Sequence, residues 1–311
     1  MTSADYALQA VKGIAKVFGN AMENMLDGYM DNRVIKFYTT DETSEIFTST
    51  EGLTGIRELA EEETPDSLAL EDGYTKTISE DRFGGAIVLP EKVYRRDGKD
   101  STIKVRNYLE KQRNQLLMAA KNKLLTSSFY MLNNAHNSSA LTLAPDSVEL
   151  CGSHTWATGG TFDNSATAAL DADAVDDLEE YGGKFMDPTD TDRPFPHDFD
   201  IIIVKKGSAN ARMAKKLFAF GISPVAVEDI NIYQGEKTVI ETPYITYANR
   251  NYWFARCSAM ENSVVLGMGE LPTLREPIKQ NNEAFRSNCT GFWKRGIVNI
   301  PHDWYGSDGT T

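Results

Sequence analysis

Cys151 and His154 stand three residues apart in the segment 150–160, LCGSHTWATGG, among glycines and beside Trp156. A thiol and an imidazole at that spacing could give two ligands to a zinc ion, or a nucleophile and its general base. Zinc takes three or four ligands, usually from Cys-x2-Cys or His-x3-His pairs. No second pair occurs, since His136, His197 and His302 fall in separate stretches. A nucleophilic thiol also needs a lowered pKa and a positioned base, which only tertiary surroundings supply. The segment therefore reads first as a glycine-rich loop, with a cysteine-dependent enzyme centred on Cys151 as the remote alternative.

Other stretches offer less. Asp187, Asp190 and Asp192 begin like a calcium loop but lack its central glycine and terminal Glu, which leaves a solvated turn. The run YGGK at 181–184 lacks the spacing and hydroxyl of a phosphate-binding loop and reads as a helix terminus. Gly-x-Ser-x-Gly, His-Glu-x-x-His and dinucleotide fingerprints are missing from the chain. No catalytic, metal-binding or cofactor-binding residue is assigned, and no cofactor is expected.

The totals bound what the elements must do. A chain of 311 residues is long enough for two moderate domains or one elaborated one. Its net charge of −13 argues against a protein that grips phosphate backbones, and suits a surface that lies near nucleic acid without sticking. Three widely spaced cysteines, at 151, 257 and 289, are expected as packed, reduced thiols. No apolar run approaches the roughly 20 residues that span a membrane. The N-terminus, with Asp5 and an amphipathic pattern, is not that of a signal peptide, so a cytoplasm-like compartment is expected.

Residues 6–30 carry apolar side chains at three-four spacing through Leu8, Val11, Ile14, Phe18, Met22 and Met25, one stripe of a helix. Such a stripe packs on its own core or on a neighbour. Two Thr-, Ile- and aromatic-rich stretches, 44–59 and 74–90, flank the acidic run AEEETPDSLALEDG and read as a long hairpin with a charged tip. Ser101 to about Leu132 is helical without an internal proline, with Ser101 and Thr102 as caps, and would reach roughly 45 Å. A polar connection with one or two short strands follows, then a helix over 170–185 opened by acids and closed by Gly182 and Gly183. Next come a buried strand, DIIIVKKG, and a helix capped by Ser208. The strand-like runs KTVIETPYIT, NYWFARC and SVVLGMG precede a closing aromatic strand, FWKRGIVNIPHDWYGSDG. A long stripe, a lone hairpin and a strut all present surfaces that need company, which points to a multi-subunit structure.

The order of these parts resembles the tailed-phage major capsid proteins of the Hong Kong 97 fold, shared by encapsulins and herpesvirus capsid floors. The more local likeness, to Mu-like and related head subunits, rests on CGSHTWATGGTFDNSA, LDADAVDDLEEYGGKFMDPTDTDRPFPHDFDIIIV and SANARMAKKLF in succession. It extends to NYWFARC and GFWKRGIVNIPHDWYGSDG. The resemblance implies an α+β fold: an N-terminal arm (1–44), an extended loop (45–100), a spine helix with the peripheral domain (101–200), an axial domain (201–280) and a return to the peripheral domain (281–311). It implies a structural protein, not an enzyme, that assembles with itself into hexamers and pentamers of an icosahedral shell in the host cytoplasm. That shell would hold double-stranded DNA contacted weakly. The implied partners are a separate scaffolding protein, a portal and a decoration protein, with no membrane. The chain begins at Met1 with the arm, so scaffolding is expected as a separate protein or the chain as a mature form. An encapsulin-like nanocompartment is the alternative. Within the shell, the acidic tip, Glu61, Glu62, Glu63 and Asp66, is expected to meet Arg95, Arg96, Lys111 or Arg113 of a neighbouring subunit.

Overall fold

The computed structural model describes residues 7–12, 18, 31–54, 69–94, 99–188, 190–219 and 233–310. Two sheets make the body. The first runs in the order β1 (Lys36–Thr39), β12 (Val264–Leu274), β14 (Phe285–Ile297), β3 (Ala69–Leu89) and β2 (Ser44–Thr54), with β13 (Ile278–Lys279) also on β14. β1 lies parallel to β12 and the other neighbours are antiparallel.

At 21 residues β3 extends about 70 Å, and its two halves have different partners. Glu80–Leu89 pairs with β14 inside the sheet, whereas Ala69–Ser79 pairs with β2. A two-stranded ribbon therefore leaves the body where Ser79 faces Ser44. The hairpin expected from 44–59 and 74–90 is present, with β3 starting earlier than its apolar pattern suggested, because ladder bonds to β2 hold polar residues in the strand as well. The acidic tip lies outside the described residues.

Helix α1 (Lys99–Ser128) crosses this sheet. Its described residues begin at Lys99, so Ser101 and Thr102 are helical and are not its caps. After Phe129 a further turn, Tyr130–Asn133, continues the direction. Val105 and Leu109 pack with Ile87 and Leu89, and the N-terminal stripe joins them through Ala7 and Val11. Phe18 is likewise buried, against Ala120 and Cys289. Where it is described, the stripe thus serves the chain's own core. Gly85 lets the helix approach: a Cβ there would lie 2.7 Å from Leu116.

The second sheet has the order β10 (Thr238–Thr242), β9 (Ile201–Lys205), β11 (Trp253–Arg256), β15 (Trp304–Ser307) and β6 (Ser165–Ala166). One face packs under α2 (Ala172–Gly183) and α3 (Ala209–Phe218) through Ile202, Val204, Trp253, Val175, Leu178, Ala214 and Leu217. Its other face, with Ile203, Phe254 and Trp304, meets Leu266 and Trp293 of the first sheet. Apolar contacts on both faces explain why β9 reads as a continuous apolar run. Asp171 caps α2 by accepting from Ala174 N at 2.9 Å, and Ser208 caps α3 by accepting from Ala211 N at 3.0 Å.

Three further expectations are corrected. Gly182 lies within α2, where the His197 carbonyl occupies the place of its side chain, so glycine is needed there for close packing, and Gly183 alone is the last residue of the helix. The closing aromatic segment is two strands in two sheets. β14 ends at Ile297 and β15 begins at Trp304, across a turn holding Pro301, which has no N–H for a ladder. The polar connection holds three short strands, β4 (Ser153–Thr155) and β5 (Thr161–Asp163) as a hairpin, followed by β6.

Candidate functional site

The ribbon has a built root. Strand β14 carries Lys294, whose side chain is only 2% exposed. Its Nζ donates to Glu45 Oε1 at 3.0 Å and to Thr40 Oγ1 at 3.3 Å. Glu45 also accepts from the Tyr38 hydroxyl at 2.7 Å and from the Thr40 hydroxyl. Tyr38 belongs to β1, Thr40 follows it, and Glu45 is the second residue of β2. One ammonium and one carboxylate thus join the strand nearest the N-terminus, the ribbon and the central strand. Burial alone would raise the Glu45 carboxyl, but hydrogen bonds from Thr40, Tyr38 and Lys294 outweigh it and hold the group below its ordinary value. Ile78 seats the ribbon further, filling the space that Gly296 leaves open and packing with Val265 and Val298. Tyr38 and Phe47 meet edge to face with centroids 6.1 Å apart.

Beyond this root β2 is the edge of its sheet, and Ile46 on it is 71% exposed. An edge strand with a bare apolar side chain is a template for pairing with another chain. A two-stranded ribbon has little core of its own, so the buried root is what gives it a direction.

Of the residues expected to bridge subunits, Glu61, Glu62, Glu63, Asp66, Arg95 and Arg96 lie outside the described residues. Lys111 is exposed on α1, and Arg113, half-buried there, donates to Asn114 Oδ1 at 2.7 and 3.1 Å.

The Cys151 loop has a structural part to play. Cys151 is buried against Leu150, Phe254 and Trp304, and burial pushes its thiol well above the ordinary value. That shift opposes the thiolate a nucleophile needs. His154 is fully buried with Nδ1 2.8 Å from Asp146 Oδ2, and Asp146 also accepts from Thr155 N at 3.2 Å. Burial raises the Asp146 carboxyl, but bonding to His154 outweighs it and lowers the group. Among the described residues, no three His, Cys, Asp or Glu side chains gather as a metal site would require. No described helix is long and apolar enough to cross a membrane. All three cysteines are buried and free. The native chain is therefore expected to react slowly with a thiol-specific disulfide reagent and to release three thiols on unfolding. A fast-reacting thiol lost in Cys151→Ala would return a reactive Cys151 to consideration.

Three buried polar anchors were not singled out from the sequence. Asn164 donates from Nδ2 to the carbonyls of Leu150 (3.0 Å), Pro301 (2.9 Å) and Trp304 (3.1 Å), and accepts from Gly152 N at 2.8 Å. It sits in GTFDN, part of the resemblance segment, which was the available signal. Arg256 donates to the Arg33 carbonyl at 2.9 Å and faces Asp303 at 3.5 Å, tying the entry to β1 onto the second sheet. Burial pushes the Asp303 carboxyl up to about 6, against the pull of Ser263 and Arg256. His197 Nε2 lies 2.8 Å from His302 Nδ1. Burial, then the neighbouring His197, bring His302 down to about 3, so this pair is neutral near pH 7. Pairs that meet 105 residues apart leave no periodic trace in a sequence.

Comparison with known proteins bears on this architecture. No family model and no curated protein matches the chain. Among solved structures, one from Mycobacterium phage Patience aligns with a TM-score of 0.51 at 13% identity, over 98% of this chain and 87% of that chain. The acid-stable capsid of Helicobacter pylori bacteriophage KHP30 aligns with a TM-score of 0.51 at 9% identity, over 88% of this chain and 86% of that one. Identities this low speak to the fold alone. Long ribbon, spine helix and paired sheets together are the Hong Kong 97 fold of phage capsids, and this chain has that α+β fold.

Proposed function

We propose that the chain is a major capsid protein, a structural subunit and not an enzyme, that assembles with itself into pentamers and hexamers of an icosahedral shell around double-stranded DNA. The observation that carries this is the ribbon: β2 and the first half of β3 leave the body as an edge-bearing pair, fastened at the root by Lys294 and Glu45. A protein that worked alone would gain little from holding a long, thin, exposed hairpin in one direction.

In this reading residues 1–44 are the arm, 45–100 the extended loop, 101–200 the spine and peripheral part, 201–280 the axial part and 281–311 the return. The kinship with Mu-like heads belongs to the same proposal, as do assembly in the host cytoplasm and a separate scaffolding protein, portal and decoration protein. The net charge of −13 supports weak, non-specific contact with packaged DNA. Glu61, Glu62, Glu63 and Asp66 meet Arg95, Arg96, Lys111 or Arg113 of the neighbour. Each exposed pair contributes about 0 to 1 kcal/mol, so the contact works through many copies.

Negative-stain electron microscopy of the purified chain, alone and with a co-expressed scaffolding protein, tests the proposal. Closed shells tens of nanometres across are expected, and a small discrete oligomer under every condition would overturn it. Reversing the charge at Glu61, Glu62 and Glu63 together is expected to abolish or strongly reduce closed particles while circular dichroism and the unfolding midpoint stay unchanged. Normal shells from that variant would remove the acidic tip from the interface.

A further inference from the structure

The two helices on the second sheet carry opposite charges. Between Asp171 and Glu180 the chain has six carboxylates and no Lys or Arg, whereas 201–227 holds five Lys and Arg and no Asp or Glu. Amphipathic packing turns these charges outward. Val175 and Leu178 of α2 and Ala214 and Leu217 of α3 are buried on the sheet, while Asp173, Asp177, Arg212 and Lys216 are exposed.

The charges also lie toward opposite edges of the sheet. On α3, Lys215 reaches Glu241 of the edge strand β10 at 2.7 Å, so the flank it shares with Arg212 lies on the β10 side. Arg212 donates to the Gly207 carbonyl at 3.4 Å, and Lys206, exposed between β9 and α3, adds a further cation. On α2, Asp176 accepts from the Tyr233 hydroxyl at 2.7 Å and Glu179 pairs with Lys237, so these two face the residues that enter β10. Asp173 and Asp177, four apart, form the other flank. α2 follows β6, the strand at the far edge, and Ala166 of β6 packs in its apolar cluster. Among the described residues, no cation pairs with Asp173 or Asp177 and no carboxylate pairs with Lys206 or Arg212.

We propose that a second copy of this chain docks head to tail across these edges, its Lys206 and Arg212 flank on the Asp173 and Asp177 flank of the first. A contact between two different faces of one chain is heterologous, and its repetition about an axis closes a ring. Every copy carries −13, but at physiological salt that overall repulsion is screened over about 8 Å, whereas charges enclosed in a contact are screened far less. Acid-to-acid and base-to-base pairings repel, so the charges also fix the order of the copies. The inference deepens the capsid reading by naming a surface for its self-association. It rests on that association, not on a closed shell or on DNA.

Carbodiimide joins a carboxylate directly to an amine that it touches. Applied to assemblies of isotope-labelled and ordinary chain in equal parts, it is expected to give peptides linking Asp173 or Asp177 of one copy to Lys206 or Lys216 of another. Asp173→Lys with Asp177→Lys, and separately Lys206→Glu with Arg212→Glu, should each weaken association about tenfold or more, with circular dichroism unchanged. The chain with all four substitutions reverses both flanks and should recover association. Double variants that associate like the parent, or a folded fourfold variant that recovers nothing, overturn the proposal. Assembled copies without the linked peptides also overturn it, and that test uses the unaltered chain, so it decides even where a variant does not fold. Closed shells without the linked peptides would end this inference and leave the capsid reading standing. Linked rings that never close into shells would do the reverse, and a chain that never associates would end both.

Discussion

Lys294→Met is expected to destabilise the folded chain by about 3 to 5 kcal/mol, since it strands a largely buried carboxylate without its cation. Glu45 would keep the hydroxyls of Tyr38 and Thr40 but lose the 3.0 Å bond from Nζ. The ribbon should be the first part to loosen, because Glu45 lies at its root and the strand beyond has no partner but β3 among the described residues. Denaturant unfolding checks the size of the loss, and limited proteolysis checks its place. The double variant Lys294→Met with Glu45→Leu is expected to recover most of the stability, as replacing a whole buried pair by apolar groups is often neutral. A single variant within 1 kcal/mol of the parent would show that the pair is not the fastening argued for.

The acid limb gives a second check on the same pair. The folded Glu45 carboxyl lies below its ordinary value, so its stabilisation is present above the usual carboxylate range near about 4.3 and is lost as pH falls through the folded value. In Lys294→Met the same group is protonated readily and its burial then costs less. The gap between parent and variant should therefore narrow on acidification. A gap that widens in acid would contradict the assignment.

Asn164→Ala is expected to cost about 4 kcal/mol or more, a large share of the roughly 5 to 15 kcal/mol that holds a domain folded. The substitution leaves the carbonyls of Leu150, Pro301 and Trp304 and the amide of Gly152 without their side-chain partner, at a residue with no solvent exposure. Asn164→Asp should be at least as harmful at neutral pH, since it points a negative charge at three carbonyl oxygens. Protonation should ease that variant in acid. Thermal and denaturant midpoints measure both, and an alanine variant close to the parent would mean that water replaces the amide at little cost.

Elements with a strong local period were legible in the sequence. The helices at Lys99–Ser128 and Ala209–Phe218, the cap at Ser208 and the buried run of β9 follow from propensity, capping and the spacing of apolar side chains. So did the hairpin, whose order with the helix carried the likeness to capsid subunits. The fate of Gly182 was not, because a glycine that ends a helix and one that admits a neighbouring carbonyl look alike in one dimension. Nor was the split of the closing aromatic segment. Its two halves satisfy the same alternation, and only the sheets they join tell them apart.

The sequence by itself determined the succession of elements and denied the Cys151 loop the second ligand pair of a zinc site. Tertiary structure decided the chemistry of single side chains: that Cys151 is a buried thiol, that Lys294 turns inward to Glu45 and that Asn164 joins three backbone segments. The physical reason is range. Propensity and periodicity act over a few residues and are written in neighbouring positions, whereas burial and hydrogen bonding join residues as distant as the 249 positions between Glu45 and Lys294.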